Sequence, residues 1–397
     1  MAAAESDSKS LFSLDSYHVS QELGFILPDP LEELPPYYQP WMDIALRVPE
    51  LVLSHELRFH INKMPLLSSH FLQKHRELRL AHLALSVMTM GYTWQEGESN
   101  TVEKLPQNLA VPYWEVSQRL GLPPILTHAD AVLANWRKKD PEGNLELLLS
   151  LPGGDSVRGF FMVTLLVELA AVPALRNIPT VINGVRCGDS EAVARALEEV
   201  SQSIQEMTDA LKLMHWWKDN PCMPKGLIYD GVQPEPMEYS GGSAAQSSLL
   251  HCFDELLGIK HEAKSGAFLT RMRNYMPPAH KQLIQDISLQ PSLKSFVHQQ
   301  DSERLNRAFQ HCVTKLLALR NYHINIVSRF ITVPAARARQ LRNQSQDSEG
   351  EMISRAPTAL EERGTGGSGI MIFLKTVRDQ TKDAFLPETS KEMKHHS

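Results

Sequence analysis

One stretch of this chain leaves little freedom about how it folds. From Ser302 to Ile331, the residues Leu305, Phe309, Cys312, Leu316, Leu319, His323, Ile326 and Phe330 recur at steps of three and four. A helix places all eight on one face. His323 therefore lies inside an apolar stripe, with Arg320 one turn before it and Lys315, Asn325 and Arg329 on other faces. An imidazole on a buried face beside a cation has two chemistries. It is a core histidine satisfied by a hydrogen bond, or it is an axial haem ligand whose neighbouring arginine reaches a propionate. Spacing does not choose between them.

Composition narrows the class. At 397 residues there is room for roughly two or three domains. A hydrophobic share of 42% and a charged share of 22% are globular values. The net charge of −6, with no basic stripe carrying interleaved aromatics, argues against nucleic acid as a partner. The 16 histidines are scattered and show no zinc spacing. Cys187, Cys222, Cys252 and Cys312 show no framework spacing, which suits free thiols in a reducing compartment. Met1 to Ser10 lacks the apolar centre of a secretory signal. The longest apolar run, Phe160 to Pro173, contains Glu168 and is too short to span a bilayer. A soluble, cytoplasmic, monomeric protein without a membrane partner is expected.

Along the chain, residues 1–15 read as disordered, and the prolines between Leu23 and Tyr38 read as an extended surface segment. Helices are expected over Gln39–Val48 and Ser68–Thr93, followed by a proline-punctuated connection from Leu105 to Tyr113. Pro124–Lys139 reads as a helix carrying Ile125, Ala129, Val132, Leu133 and Trp136. Arg158–Val172 is apolar nearly all round and reads as a buried central helix. Asp189–His215 is a long amphipathic helix with an Asp189–Ser190 cap. Further helices are expected over Ala244–Leu257, Ala267–Tyr275, His280–Ile287 and Ile370–Ala384. The fold class is all-α. Residues 16–118 form a small domain and residues 119–397 a large one, with a polar mobile loop over 335–363.

No nucleophile elbow, P-loop or dinucleotide fingerprint is present. Gly364-Thr-Gly-Gly is either a flexible loop or a lid whose glycines permit close backbone approach. Phe160 and Thr164 share a face at i, i+4; the threonine hydroxyl either bonds its own helix or faces a cavity. The small and polar run Gly241-Gly-Ser-Ala-Ala-Gln-Ser-Ser either caps a helix or lets a flat ligand lie against backbone.

Taken together, Ala134-Asn-Trp, Leu257-Gly-Ile, Tyr275-Met-Pro-Pro-Ala-His, Leu319-Arg-Asn-Tyr-His and Gly364-Thr-Gly-Gly resemble the indoleamine 2,3-dioxygenases, the second paralogue in particular. The resemblance runs from about Tyr17 to Lys382. It implies a two-domain helical fold with haem b in the large domain and His323 as the proximal iron ligand. It also implies Arg320 and Asp254 as the charged pair steadying the haem, and Phe160 and Thr164 in the distal pocket. Ser243 and Ala244 would line the haem edge, and Thr365 would lie on the loop closing over substrate. The implied reaction opens the indole ring of L-tryptophan, or a related indoleamine, with dioxygen to give N-formylkynurenine, the entry to the kynurenine pathway. The chemistry belongs to the cofactor.

The sequence departs from the family at several points. Thr164 replaces a serine, His128 a tyrosine at the pocket floor, and Ala131 a cysteine beside it. The larger departure follows His215, which runs straight into Trp216-Trp-Lys. The family has there a segment of about twenty residues, ~30 Å if helical. It carries a distal aromatic residue and an arginine that takes the substrate carboxylate by charge-assisted hydrogen bonds. No arginine occurs between Arg195 and Arg271. Haem binding is therefore expected to survive better than catalysis. Two other functions remain open. One is a haem protein that binds oxygen without turnover. The other is a signalling protein using Val111-Pro-Tyr113-Trp-Glu-Val116 and Leu227-Ile-Tyr229-Asp-Gly-Val232 as phosphotyrosine motifs.

Overall fold

The structure is a computed structural model that describes residues 11–97, 100–140, 143–214, 228–229, 244–329 and 369–386. Ser243, Thr365 and the loop 335–363 lie outside the described residues. Two apolar cores organise the chain.

The first core is built on one long helix. Helices α1 (Gln39–Ala45), α2 (Val48–Leu53) and α3 (Leu57–Lys63) pack on α4 (His75–Trp94), and α5 (Gln107–Leu120) lies beside it. The close approach needs Gly91, where a Cβ would strike Leu57 and Val48. Helix α4 starts later than Ser68. Ser68 instead caps a separate 3-10 turn, Ser69–Phe71, and the Glu77 carboxylate accepts the Gln73 and Lys74 amides to open α4. The expected connection Leu105–Tyr113 is corrected: most of it is helix α5, with Pro112 inside. The missing Pro112 N–H costs one helical bond. Burial of Leu109, Ala110, Tyr113, Val116 and Leu120 in the core offsets that loss.

The strands are two residues long: β1 (Lys104–Leu105), β2 (Arg137–Lys138), β3 (Leu145–Glu146) and β4 (Ile228–Tyr229). β1 pairs with β4 in parallel, and β2 with β3 antiparallel. The helix expected over Pro124–Lys139 is also corrected, to a short π-helical stretch, Ala129–Ala134. Side chains take the backbone away from a longer helix. Asp130 accepts from the Thr127 amide and hydroxyl, and Asn135 pairs with both the amide and carbonyl of Leu149.

The second core gathers Phe12 to Ile26 with most of the remaining helices. The helices are α6 (Gly154–Ala170), α7 (Val172–Cys187), α8 (Ser190–Leu211), α9 (Ser248–Leu257), α10 (Ala263–Met272), α11 (Pro278–Ser288), α12 (Leu293–Gln299), α13 (Glu303–Val327) and α14 (Ile370–Lys382), of which α10 and α14 lie outside that core, α14 packing on α13. Helix α8 begins at Asp189, whose carboxylate accepts the Ala192 amide, and α13 begins at Ser302, which accepts that of Leu305. Helix α13 packs along α8 and α14, and α8 lies on α6 and α7. Phe161 touches both cores. A polar group joins them as well: Asp130 Oδ1 lies 2.8 Å from His82 Nδ1, and Arg79 donates to the Ala129 carbonyl.

Two sequence expectations change here. Helices α6 and α7 follow one another so closely that Val157–Cys187 is, by length and composition, long and apolar enough to cross a membrane. Its residues Leu165, Ala174, Leu175, Ile178, Val181 and Ile182 are nevertheless buried in the second core. Helix α6 is not the fully buried rod expected: Phe160, Phe161, Met162 and Thr164 are only half-buried. Among the described cysteines, Cys187 is exposed and Cys252 and Cys312 are buried, all as free thiols.

Candidate functional site

The stripe on α13 is buried as its periodicity requires, from Leu305 through Leu319 to Ile326, and His323 sits in it half-buried. Burial, reinforced by the Arg320 cation, pulls its pKa from 6.5 down to about 4. The imidazole is therefore neutral at physiological pH. It has no hydrogen-bond partner among the described residues, so a ring lone pair is available. That is the state a metal-ligating histidine must have.

Arg320 is held one turn away from a second helix. Its Nη2 reaches both Asp254 oxygens, at 2.6 and 2.8 Å, and its Nη1 reaches Thr381. Burial acting alone would raise the Asp254 carboxyl. The Arg320 cation and the hydrogen bond from His261 outweigh it and hold the group below its usual range. Arg320 Nε is buried without a partner among the described residues. The sequence reading named Arg320 and Asp254. It did not name His261, Gln380 or Thr381, which complete their surroundings: Gln380 and Thr381 arrive from a distant part of the chain, and His261 stands on a turn where helical periodicity gives no signal.

The other flank of the histidine is apolar. Phe160 and Val163 of α6 share a small cluster with Leu211 and Met214 at the end of α8 and Tyr322 and Ile326 beside His323. Thr164 Oγ1 donates to the Phe160 carbonyl at 2.8 Å, the local bond that a lone helical threonine makes. The face continues at i+4 to Glu168. Its Oε1 receives His128 Nε2 at 2.8 Å and Ser247 Oγ at 2.7 Å, and its Oε2 is buried without a partner among the described residues. The His128 amide also donates to Gln246 Oε1. His128 is thus brought to the same helix face as Phe160 and Thr164. Glu168 is the residue that sequence reasoning undervalued. Its signal was present: one carboxylate inside an apolar run, one turn beyond Thr164.

The remaining expected residues divide. Ala131 is buried in the first core, apart from the Phe160 cluster, and Ala244 is exposed at the head of a 3-10 turn, Ala244–Gln246. Ser243 and Thr365 fall outside the described residues. Tyr113 is fully buried, with its hydroxyl 2.7 Å from Ser86 Oγ and its ring against His82. A kinase could reach it only after α5 left the core. For Tyr229 the structure gives its place in β4 and nothing of its side chain.

Comparison with known proteins bears on the whole chain. The family model described as Indoleamine 2,3-dioxygenase matches residues 13–221 and 215–384. Indoleamine 2,3-dioxygenase 2 of Homo sapiens is 49% identical over 396 aligned positions, covering 94% of this chain and 96% of the relative. Indoleamine 2,3-dioxygenase 1 of Rattus norvegicus is 43% identical, covering 94% and 96%. A protein named Myoglobin from Haliotis madaka is 38% identical, covering 93% and 98%. The alignment with the Homo sapiens relative has more positions than the stretch of this 397-residue chain it covers, so that relative carries residues with no counterpart here. The two family-model matches meet at residues 215–221, where the sequence runs from His215 directly into Trp216.

Proposed function

The chain belongs to the indoleamine 2,3-dioxygenase family, and from that premise we propose that it is a haem dioxygenase opening the indole ring of L-tryptophan to N-formylkynurenine, with His323 as the iron ligand. The observation that carries this reading is the state of His323: neutral, unbonded among the described residues, and one turn from a guanidinium fixed by Asp254. These residues fit the group. A haem would find a nitrogen lone pair at His323, a buried cation with an unpartnered Nε for its acid groups at Arg320, and apolar cover from Phe160, Val163 and Ile326. Haem supplies the iron and the dioxygen chemistry that adds both oxygen atoms across the indole C2–C3 bond.

The chain's own residues do the rest. His323 holds the iron, Asp254 and Arg320 fix the charge beside it, and Phe160, Val163 and Thr164 keep an apolar wall where the indole lies. No group on that wall is asked to move a proton. Carboxylate recognition is where this chain falls short of its relatives, because no arginine stands between Arg195 and Arg271. A lysine such as Lys212 lacks the fork that pairs with a carboxylate. Turnover of the amino acid is therefore weak.

The test is to reconstitute the purified chain with haemin and to follow the Soret band and kynurenine formation in this protein and in His323→Ala. A Soret band that persists unchanged in His323→Ala would sink the ligand assignment. A second reading, oxygen binding without turnover, is favoured by the Haliotis madaka relative named Myoglobin. It expects an oxygenated spectrum that stays stable when tryptophan is added, and bleaching with kynurenine release rules it out.

A further inference from the structure

Behind His323 the polar contacts close into a ring, and one member of that ring has no part in the reading above. His261 stands on the turn between α9 and α10. Its Nε2 is 2.8 Å from Asp254 Oδ2, and its Nδ1 is 2.8 Å from Gln380 Oε1 on α14. Asp254 is held ionised and can only accept, so Nε2 carries the hydrogen. From the other side Arg320 grips the same carboxylate and also reaches Thr381, the neighbour of Gln380. The ring therefore runs from Arg320 on α13 to Asp254 on α9, to His261, to Gln380 and Thr381 on α14, and back to Arg320. Its members are nearly closed to water: Asp254 is 5% exposed, Arg320 6%, Gln380 5% and Thr381 0%. Gln380 Nε2 is buried without a partner among the described residues. With the amide turned end for end, that group would donate to His261 Nδ1 and Ser265 Oγ, so the link to α14 holds in either orientation.

We propose that His261 is a positioning residue for the iron site: it holds Asp254 in place against Arg320 and ties α14 to the helix that bears His323. Arg320 sets the charge one turn from the ligand, and the orientation of its counterion depends on the second donor, His261. Partners of this kind, outside the ligand itself, tune a metal's affinity and potential. If His261 is lost, Asp254 Oδ2 keeps only Arg320, its negative charge is less offset by hydrogen-bond donors, and the ferric state gains over the ferrous. The inference rests on His323 holding haem iron.

The experiment uses the full chain as wild type, H261L, H261Q and Q380L. It reads haemin affinity, the ferric–ferrous midpoint potential and the melting temperature of the haem-free protein. H261L is expected to bind haemin roughly tenfold more weakly and to show a lower midpoint potential. H261Q, whose amide donates to Asp254, should recover most of both. Q380L keeps that donor and should lower the melting temperature while leaving the potential near that of wild type. Unchanged affinity and potential in H261L overturn the proposal, and so does an H261Q protein as far displaced as H261L. If H261L does not fold, H261M, closer in length to histidine, takes its place with the same expected results. A Q380L potential displaced as far as that of the donor-less variant would show a structural tie only, and also overturns it. A wild-type protein without a Soret band defeats the haem reading and this inference with it, whereas a normal wild type beside indifferent variants defeats this inference alone.

Discussion

The two flanks of His323 are built differently. Toward α9 and α14 every charge has its counterpart: Arg320, Asp254, His261 and Gln380 form a buried ring drawn from three helices and a turn. Toward α6 the surface is apolar and half-buried, and Thr164 spends its hydroxyl on its own helix. A buried polar anchor there is Glu168, which fastens His128 and Ser247 one turn beyond Thr164. The difference teaches where this chain is robust. The flank toward α9 and α14 is made from helices within the described residues, and its carboxylate is paired from two sides. The flank toward α6 and the end of α8 adjoins the point in the chain, after Met214, where the two family-model matches meet.

Four results would break or sharpen that contrast. The largest expected effect is total: His323→Ala should abolish the Soret band, measured by haemin titration, because no other described residue offers an unbonded neutral imidazole beside Arg320. Next comes the open side. Inserting the family's segment of about twenty residues after His215 should raise kcat/KM for L-tryptophan roughly tenfold to a hundredfold, the worth of a charge-assisted contact. Haemin affinity should change little, and equal turnover with and without the insert would erase the contrast.

A third result concerns pH. His251 of α9 is buried, donates through Nε2 to the Ala245 carbonyl and accepts from Arg273 Nε. Burial, partly offset by the Ala245 bond, lowers its pKa from 6.5 to about 4. The folded state therefore favours the neutral ring, while the unfolded chain takes up a proton below pH 6.5. Its contribution is intact above that value and is lost as the pH falls toward 4. Between pH 7 and pH 5 the loss is about 2 kcal/mol. Urea unfolding of His251→Gln should show a correspondingly flatter dependence, and an unchanged slope would show that His251 is not its source. The smallest effect is expected from Thr164→Ser, which removes one methyl group from the half-buried wall. It should shift stability by less than about 1 kcal/mol and leave haemin affinity unaltered.

Much of this was legible in the residues. The stripe on α13 is local periodicity, and local periodicity survives folding: Leu305, Phe309, Cys312, Leu316 and Leu319 are buried as their spacing requires. The cap at Asp189 is likewise a matter of four consecutive positions. Where the reading failed, a distant contact had overruled a local signal. Pro112 reads as a break, yet the apolar face around it is worth more in the core than the lost bond. Pro124 to Lys139 reads as a helix, yet Asp130 takes the Thr127 amide near its start and the Asn135 side chain pairs with the Leu149 backbone near its end. Helix α6 reads as buried all round, yet Phe160, Phe161, Met162 and Thr164 are only half-buried.

The sequence by itself determined that this chain is helical, that a histidine stands on a buried face beside an arginine, and, through its motifs, to which family it belongs. Only the tertiary structure decided what surrounds that histidine. Asp254 and Arg320 are 66 positions apart, His261 and Gln380 are 119, and Glu168 and Ser247 are 79. Helical periodicity relates residues within a few turns of one another, so it carries no information about such pairs. They meet because the apolar faces of α6, α8, α9 and α13 are buried together and α14 packs on α13, and the charges those helices carry must then find partners away from water.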